Sequence, residues 1–132
     1  MRRGLGIAAL LLALGSIAAI LIAVLPDAAP PPGAPRSQQL YAGLCASCHG
    51  PRGRGSWRAY LFLIRPGDLA DRSRMETLTD RYLFDLIKRG GADIGKPGMP
   101  GFGFHLTDAE IEELVAQVRS LSAPRSVGGQ AT

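Results

Sequence analysis

Hydrophobic and polar positions divide this chain into two unlike parts. From Gly4 to Leu25 (GLGIAALLLALGSIAAILIAVL) no charged side chain occurs, and apolar residues fall on every side of a helical projection rather than on one stripe. The run matches the roughly 20 residues that a helix needs to cross the ~30 Å hydrocarbon core of a bilayer. From Ser37 onward the pattern changes to one apolar face repeating every three or four residues. That is the signature of helices packed on a core.

Three such helices are predicted. In SQQLYAGLCASC, Leu40, Tyr41 and Leu44 follow Ser37 as N-cap, so the two cysteines fall at a helix end. In TLTDRYLFDLIKRGG, Thr77 or Thr79 caps a face of Leu83, Leu86 and Ile87, and Gly90-Gly91 stops it. In LTDAEIEELVAQVRSL, Thr107 and Glu110 form a capping box ahead of Ile111, Leu114, Val115, Val118 and Leu121. Between them, PRGRGSWRAYLFLIRPGDL opens with glycine-rich turns and becomes strongly apolar from Trp57 to Ile64, while GGADIGKPGMPGFG (90–103) is irregular backbone. No strand alternation, βαβ order or internal repeat is present, so the fold class is all-α.

The organisation that follows is an N-terminal membrane anchor at 1–25, a proline-rich linker at 26–36, a helical domain at 37–123 and a disordered tail at 124–132. Five prolines in PDAAPPPGAPR end the first helix and favour an extended polyproline spacer, at about 3.1 Å per residue. Secretory signals have apolar regions of roughly 7–15 residues, so an uncleaved anchor is expected over a signal cut near Ala28-Ala29. Arg2 and Arg3 precede the span and no similar basic cluster follows it closely. The positive-inside bias therefore places the amino terminus in the cytoplasm and the domain on the periplasmic or extracytoplasmic side of the cytoplasmic membrane.

The chain has only two cysteines, Cys45 and Cys48, and His49 follows the second at once. A thioredoxin-like dithiol sits at a helix start in an α/β domain, which is not this context. A zinc site needs four ligands, and the candidates are Cys45, Cys48, the adjacent His49 and the distant His105. C-x-x-C-H uses every residue of the motif: two thiols form thioethers with the two vinyl groups of one haem, and the imidazole reaches the iron. For the other axial position the candidates are Met75, Met99 and His105. Met99, in KPGMPGFG, is favoured, because a Gly-Pro loop can carry a thioether to a flat macrocycle. Met75 lies among charges in DRSRMETL, and His105 is the competitor.

LYAGLCASCHG, PGDL at 66–69, LTDRYLFDLIKRGG, GMPGFG and LTDAEIEELVAQVRSL, in this order and spacing, resemble class I c-type cytochromes, in particular small membrane-anchored bacterial mono-haem ones, over residues 38–122. The resemblance implies a cytochrome c-like helical domain around one covalent haem c, with the first and last helices crossing near it. It implies attachment through Cys45 and Cys48, His49 as proximal and Met99 as distal iron ligand, and Pro66 as the proline near the proximal histidine. The stretch from Trp57 to Ile64 is more apolar than the family pattern.

His plus Met ligation closes the iron to substrates, so the expected role is an electron carrier, not an enzyme, with no catalytic residues. It would pass single electrons between a respiratory or dehydrogenase donor and a terminal acceptor. The alternatives are an open-site haem enzyme or gas-binding sensor, or a fixed haem subunit of a larger oxidoreductase complex. From Ser37 onward twelve Lys and Arg face ten Asp and Glu, too small an excess for strong steering. Arg52, Arg54, Arg58 and Arg65, with no acid before Asp68, read either as a basic rim for a redox protein partner or as charges of which one or two neutralise haem propionates while the rest are solvated. Nucleic acid is not expected as a partner.

Overall fold

The computed structural model describes residues 2–24 and 29–124. Leu25 to Ala28, which join the expected anchor to the linker, and the expected tail from 125 onward lie outside the described residues. Helix α1 (Arg2–Val24) is continuous over 23 residues. Its described large side chains, among them Leu10, Leu12, Leu14 and Ile17, are all exposed. Among the described residues no helix is long and apolar enough to cross a membrane. The helix expected at the amino terminus is present as α1, but a membrane-spanning role for it rests on the sequence alone.

The linker is not uniformly extended polyproline. The Ala34 N–H donates to the Pro31 carbonyl (3.0 Å) in a turn, and Ala34 is buried, so the domain begins a little before Ser37. Helix α2 (Arg36–Leu40) opens without the Ser37 cap: Pro35 precedes it and no side chain caps it. Gln39 Nε2 donates to the Ala34 carbonyl instead (2.8 Å). A π-helical turn (Tyr41–Cys45) then leads without a break into α3 (Ala46–His49).

Two short helices were not visible as periodicity. Helix α4 (Trp57–Leu61) is capped by Ser56, and α5 (Arg72–Thr77) by Asp71. Each has less than two turns, too few for a face to repeat. Helix α6 (Asp80–Arg89) is capped by Thr79, whose hydroxyl accepts from the Tyr82 N–H, and ends at Gly90. The irregular 90–103 stretch contains one 3-10 turn (Ala92–Ile94). Helix α7 (Asp108–Ser122) starts with the expected capping box of Thr107 and Glu110. Among the described residues there is no strand.

Helix α7 is the centre of the core. Its Ile111, Leu114, Val115 and Val118 pack with Leu40 of α2, Tyr41 of the π-helical turn, Met75 of α5, and Leu83 and Ile87 of α6. Arg119 staples the α5–α6 junction to α7: its guanidinium donates to the carbonyls of Met75 and Leu78 and to Asp80 Oδ1. At the other end of α7, Glu110 also pairs with Arg36 (3.1 Å), tying the two terminal helices of the domain together.

The Thr107 backbone N–H, then Arg36 and the Thr107 hydroxyl, hold the Glu110 carboxyl below its ordinary value. A carboxylate depressed in the folded state contributes stability that is in place above its unfolded pKa and is lost as pH falls through the lower folded one. Glu110→Gln is therefore expected to flatten the acid limb of a stability–pH profile measured by urea unfolding. Thr107→Ala is expected to cost about 1 kcal/mol in the same assay at neutral pH.

Candidate functional site

The C-x-x-C-H segment is held by its own backbone. The π turn widens the helix where Cys45 begins the motif, a feature that recurs at functional sites. Gly50 ends the helix, and its carbonyl accepts from the Tyr41 hydroxyl (2.8 Å). The His49 carbonyl accepts from Gly55 N–H (2.7 Å) and the Cys48 carbonyl from Ser56 N–H (2.9 Å). The glycine-rich 50–56 loop thus wraps the motif and leaves its side chains facing inward.

His49 Nδ1 lies 3.2 Å from the Gly67 carbonyl. A carbonyl only accepts, so the ring proton sits on Nδ1 and the Nε2 lone pair is available to a metal. Burial pushes the His49 pKa below its ordinary value and outweighs the opposing, raising effect of the Gly67 bond. Pro66 immediately precedes this carbonyl, close to the place the family resemblance suggested.

Both cysteines are half-buried and are not joined to each other in a disulfide. Burial first, and the neighbouring Cys48 second, push the Cys45 thiol up to about 11. A redox dithiol needs the opposite, a depressed pKa that supplies thiolate. Among the described residues no cluster of three or more His, Cys, Asp or Glu side chains is placed to hold a metal ion, and His105 is exposed and outside the cleft that holds the cysteines. His105 therefore does not join Cys45, Cys48 and His49 as a fourth ligand.

That cleft has a volume of about 490 Å³, within the roughly 300–1,000 Å³ of cofactor sites. Cys45, Cys48, His49 and Met99 all line it, brought together from the π turn, α3 and the 90–103 loop. Its walls are the 63–69 segment and the 90–103 loop, with apolar side chains of α6 (Leu83, Ile87) and α7 (Leu114, Val118) between them. Met75, which the sequence surrounds with charge, is also in the wall and is only 1% exposed. The sequence signal for it was the Asp71 cap four residues earlier, which starts a short helix with Met75 on its inner side. Of the four arginines of the expected basic rim, Arg65 lines the cleft; Arg52 and Arg54 are exposed elsewhere, and Arg58 lies over the Trp57 ring.

Met99 is positioned by backbone bonds. Its carbonyl accepts from Gly91 N–H (2.9 Å), its N–H donates to the Lys96 carbonyl (3.0 Å), and Phe102 N–H donates to Ile87 at the end of α6 (2.9 Å). The loop lies so close to α6 that glycine is required. A Cβ on Gly101 would stand 2.7 Å from the Arg89 carbonyl carbon, and one on Gly90 would stand 2.7 Å from the Gly101 nitrogen. Gly90 also takes φ 86, which L side chains rarely adopt.

Two thiols, an imidazole with a free Nε2 and a thioether, on a cleft with mainly apolar walls, fit a flat macrocycle with a central iron and two covalent attachments. With the helical fold, this donor set defines a small class I c-type cytochrome. The chain belongs to the family described as cytochrome c oxidase, cbb3-type, subunit III, whose model matches residues 32–117. It is also similar to the solved structure of the KustC0563 c-type cytochrome, at 25% identity and a TM-score of 0.56, over 66% of this chain and 98% of that one. No curated protein matches the chain. The family carries covalently bound haem c, with Cys45 and Cys48 at the attachment spacing, and electron transfer is its general activity.

Gly101→Ala is expected to push the Met99 loop off α6 and lower the urea midpoint of the haem-loaded protein. Gly43→Ala is the comparison, because a Cβ there meets nothing within 4 Å and the residue is not at positive φ. An equal loss in both would show that close approach at Gly101 is not the constraint.

Proposed function

We propose that this chain is a membrane-tethered mono-haem electron carrier, with His49 and Met99 as the axial ligands of its haem and its domain on the outer face of the cytoplasmic membrane. It passes single electrons from a respiratory or dehydrogenase donor to a terminal acceptor. The observation that carries this reading is the convergence of Cys45, Cys48, His49 and Met99 on one apolar cleft. Haem c supplies a one-electron iron couple when bound, and His/Met ligation raises its potential.

The chain's own residues keep that couple closed. The Gly67 carbonyl fixes the His49 tautomer, and the pinned 90–103 loop presents the Met99 thioether. The side chains of α6 and α7 exclude water, which favours a change of charge at a fixed site over the binding of a substrate. The tether is supported by α1, whose apolar side chains are exposed on every side, since a helix of that kind needs a non-aqueous surrounding. The residues from 26 to 36 give the domain a reach of about 30 Å at most from the bilayer. The description of the matched family as an oxidase subunit favours a second form of the same reading, in which the domain is fixed in an oxidase complex and feeds its catalytic subunit.

Visible and near-infrared spectra of the haem-loaded chain test the iron site. Oxidised wild type is expected to show the weak long-wavelength band of a methionine-ligated ferric haem, and carbon monoxide is expected not to bind the reduced form readily. Met99→Ala should lose the band and bind carbon monoxide, while Met75→Leu should keep it. A wild type without the band that binds carbon monoxide would favour an open-site enzyme or gas sensor instead, and loss of the band in Met75→Leu would move the ligand to Met75.

A further inference from the structure

Helix α4 and the turn after it leave a row of large apolar side chains in water. Leu61, Phe62 and Leu63 are 68%, 74% and 90% exposed, and Trp57 and Tyr60 are half-exposed beside them. Leu63 takes φ 58, the one positive φ of a non-glycine residue among the described residues, and the chain turns there with the Leu63 N–H donating to the Tyr60 carbonyl (3.0 Å). The haem cleft accounts for only part of this surface. Leu63 and Ile64 line the cleft, but Trp57, Tyr60, Leu61 and Phe62 do not. Contiguous exposed apolar surface of this kind marks an interaction site.

The composition of the surface selects its occupant. Tryptophan, tyrosine and phenylalanine beside leucine are the side chains that settle at a bilayer–water boundary. Arginine accompanies them: Arg58 lies over the Trp57 ring at 5.6 Å, Arg54 and Arg65 are exposed on either side in sequence, and no Asp or Glu occurs between Gly50 and Gly67. Such cations extend to lipid phosphates while their stems stay on apolar surface. Side chains projecting from a turn, rather than lining a groove, suit a fluid acyl layer that closes around them. A rigid protein partner would need a pocket for each.

We propose that Trp57–Leu63 is a membrane-seating element, inserted into the headgroup boundary of an anionic bilayer with Arg54 and Arg65 on lipid phosphates. The proposal rests on the tethered reading above, which holds the domain within reach of that bilayer. Because Leu63 also belongs to the cleft, seating turns the cleft rim toward the membrane plane. A docked domain would then exchange electrons with partners embedded in the same membrane.

The test uses the haem-loaded full chain made with fluorotryptophan, which labels Trp57 alone because the chain has one tryptophan. It is placed in nanodiscs of equal parts phosphatidylglycerol and phosphatidylcholine. In the reduced, diamagnetic state the single fluorine resonance is recorded with a spin-labelled lipid in the disc and, separately, with a water-soluble gadolinium chelate. Broadening by the lipid label and protection from the chelate are expected. Leu61→Ser with Phe62→Ser, both outside the cleft, should remove most of both effects while leaving the visible spectrum unchanged. Broadening should also fall on discs of phosphatidylcholine alone, and its persistence there overturns the role given to the arginines. A chain that stays on the discs with Trp57 open to the chelate overturns the seating and leaves the tether intact. Protection without lipid broadening means that protein covers the face, which also overturns it. A chain that leaves the discs overturns tether and seating together.

Discussion

The packing of α7 carries two demands on one face. Ile111 and Leu114 have no exposed surface, yet Leu114 and Val118 also form part of the cleft wall. Burying each such side chain is worth about 1.5–3 kcal/mol, and a domain this small has few of them to bury. Met75, Leu83 and Ile87 likewise belong both to the core cluster and to the cleft. Core and cofactor site are therefore one set of residues seen from two sides. A bound apolar macrocycle completes the core, and the core in turn holds the walls that keep water from the iron.

Around that shared wall, the chemical groups are positioned mainly by backbone. The Gly67 carbonyl orients His49, and the loop carrying Met99 is closed by bonds between its own amides and carbonyls and by bonds to the end of α6. Backbone bonds of this kind depend on close approach, which glycine alone permits at Gly90 and Gly101. The result is a site whose donors are preorganised rather than gathered on binding. For electron transfer that is the useful property, because a site that moves little when its charge changes presents a low barrier.

The surface divides by chemistry. The ion pairs of Arg72 with Glu76 and Arg81 with Asp85 join neighbours on one helix near its surface and contribute little to stability. Arg119 differs, since it is partly buried and satisfies two carbonyls where α5 gives way to α6. The stretch from Gly50 to Gly67 carries cations without acids and apolar groups without cover. It is the part of the domain least explained by folding alone.

Local patterns in the sequence determined the helical class, the capping box of Thr107 and Glu110, the Thr79 cap, the end of α6 at Gly90 and the C-x-x-C-H chemistry, because each depends on residues within one or two turns of each other. The same local reading placed Met99 in a glycine–proline loop and named it as a ligand candidate. It misplaced the start of the first helix at Ser37, where Arg36 and Ala34 are instead secured by contacts with Glu110 and Gln39, and it missed α4 and α5, which are too short to show a period. Tertiary structure alone decided that Met75 is core, that Gly67 supplies the carbonyl behind His49, that His105 stands apart from the cleft, and that of four arginines in a row only Arg65 reaches it. Those outcomes depend on contacts between residues far apart in the chain, and a pattern confined to a few turns does not encode where such partners meet.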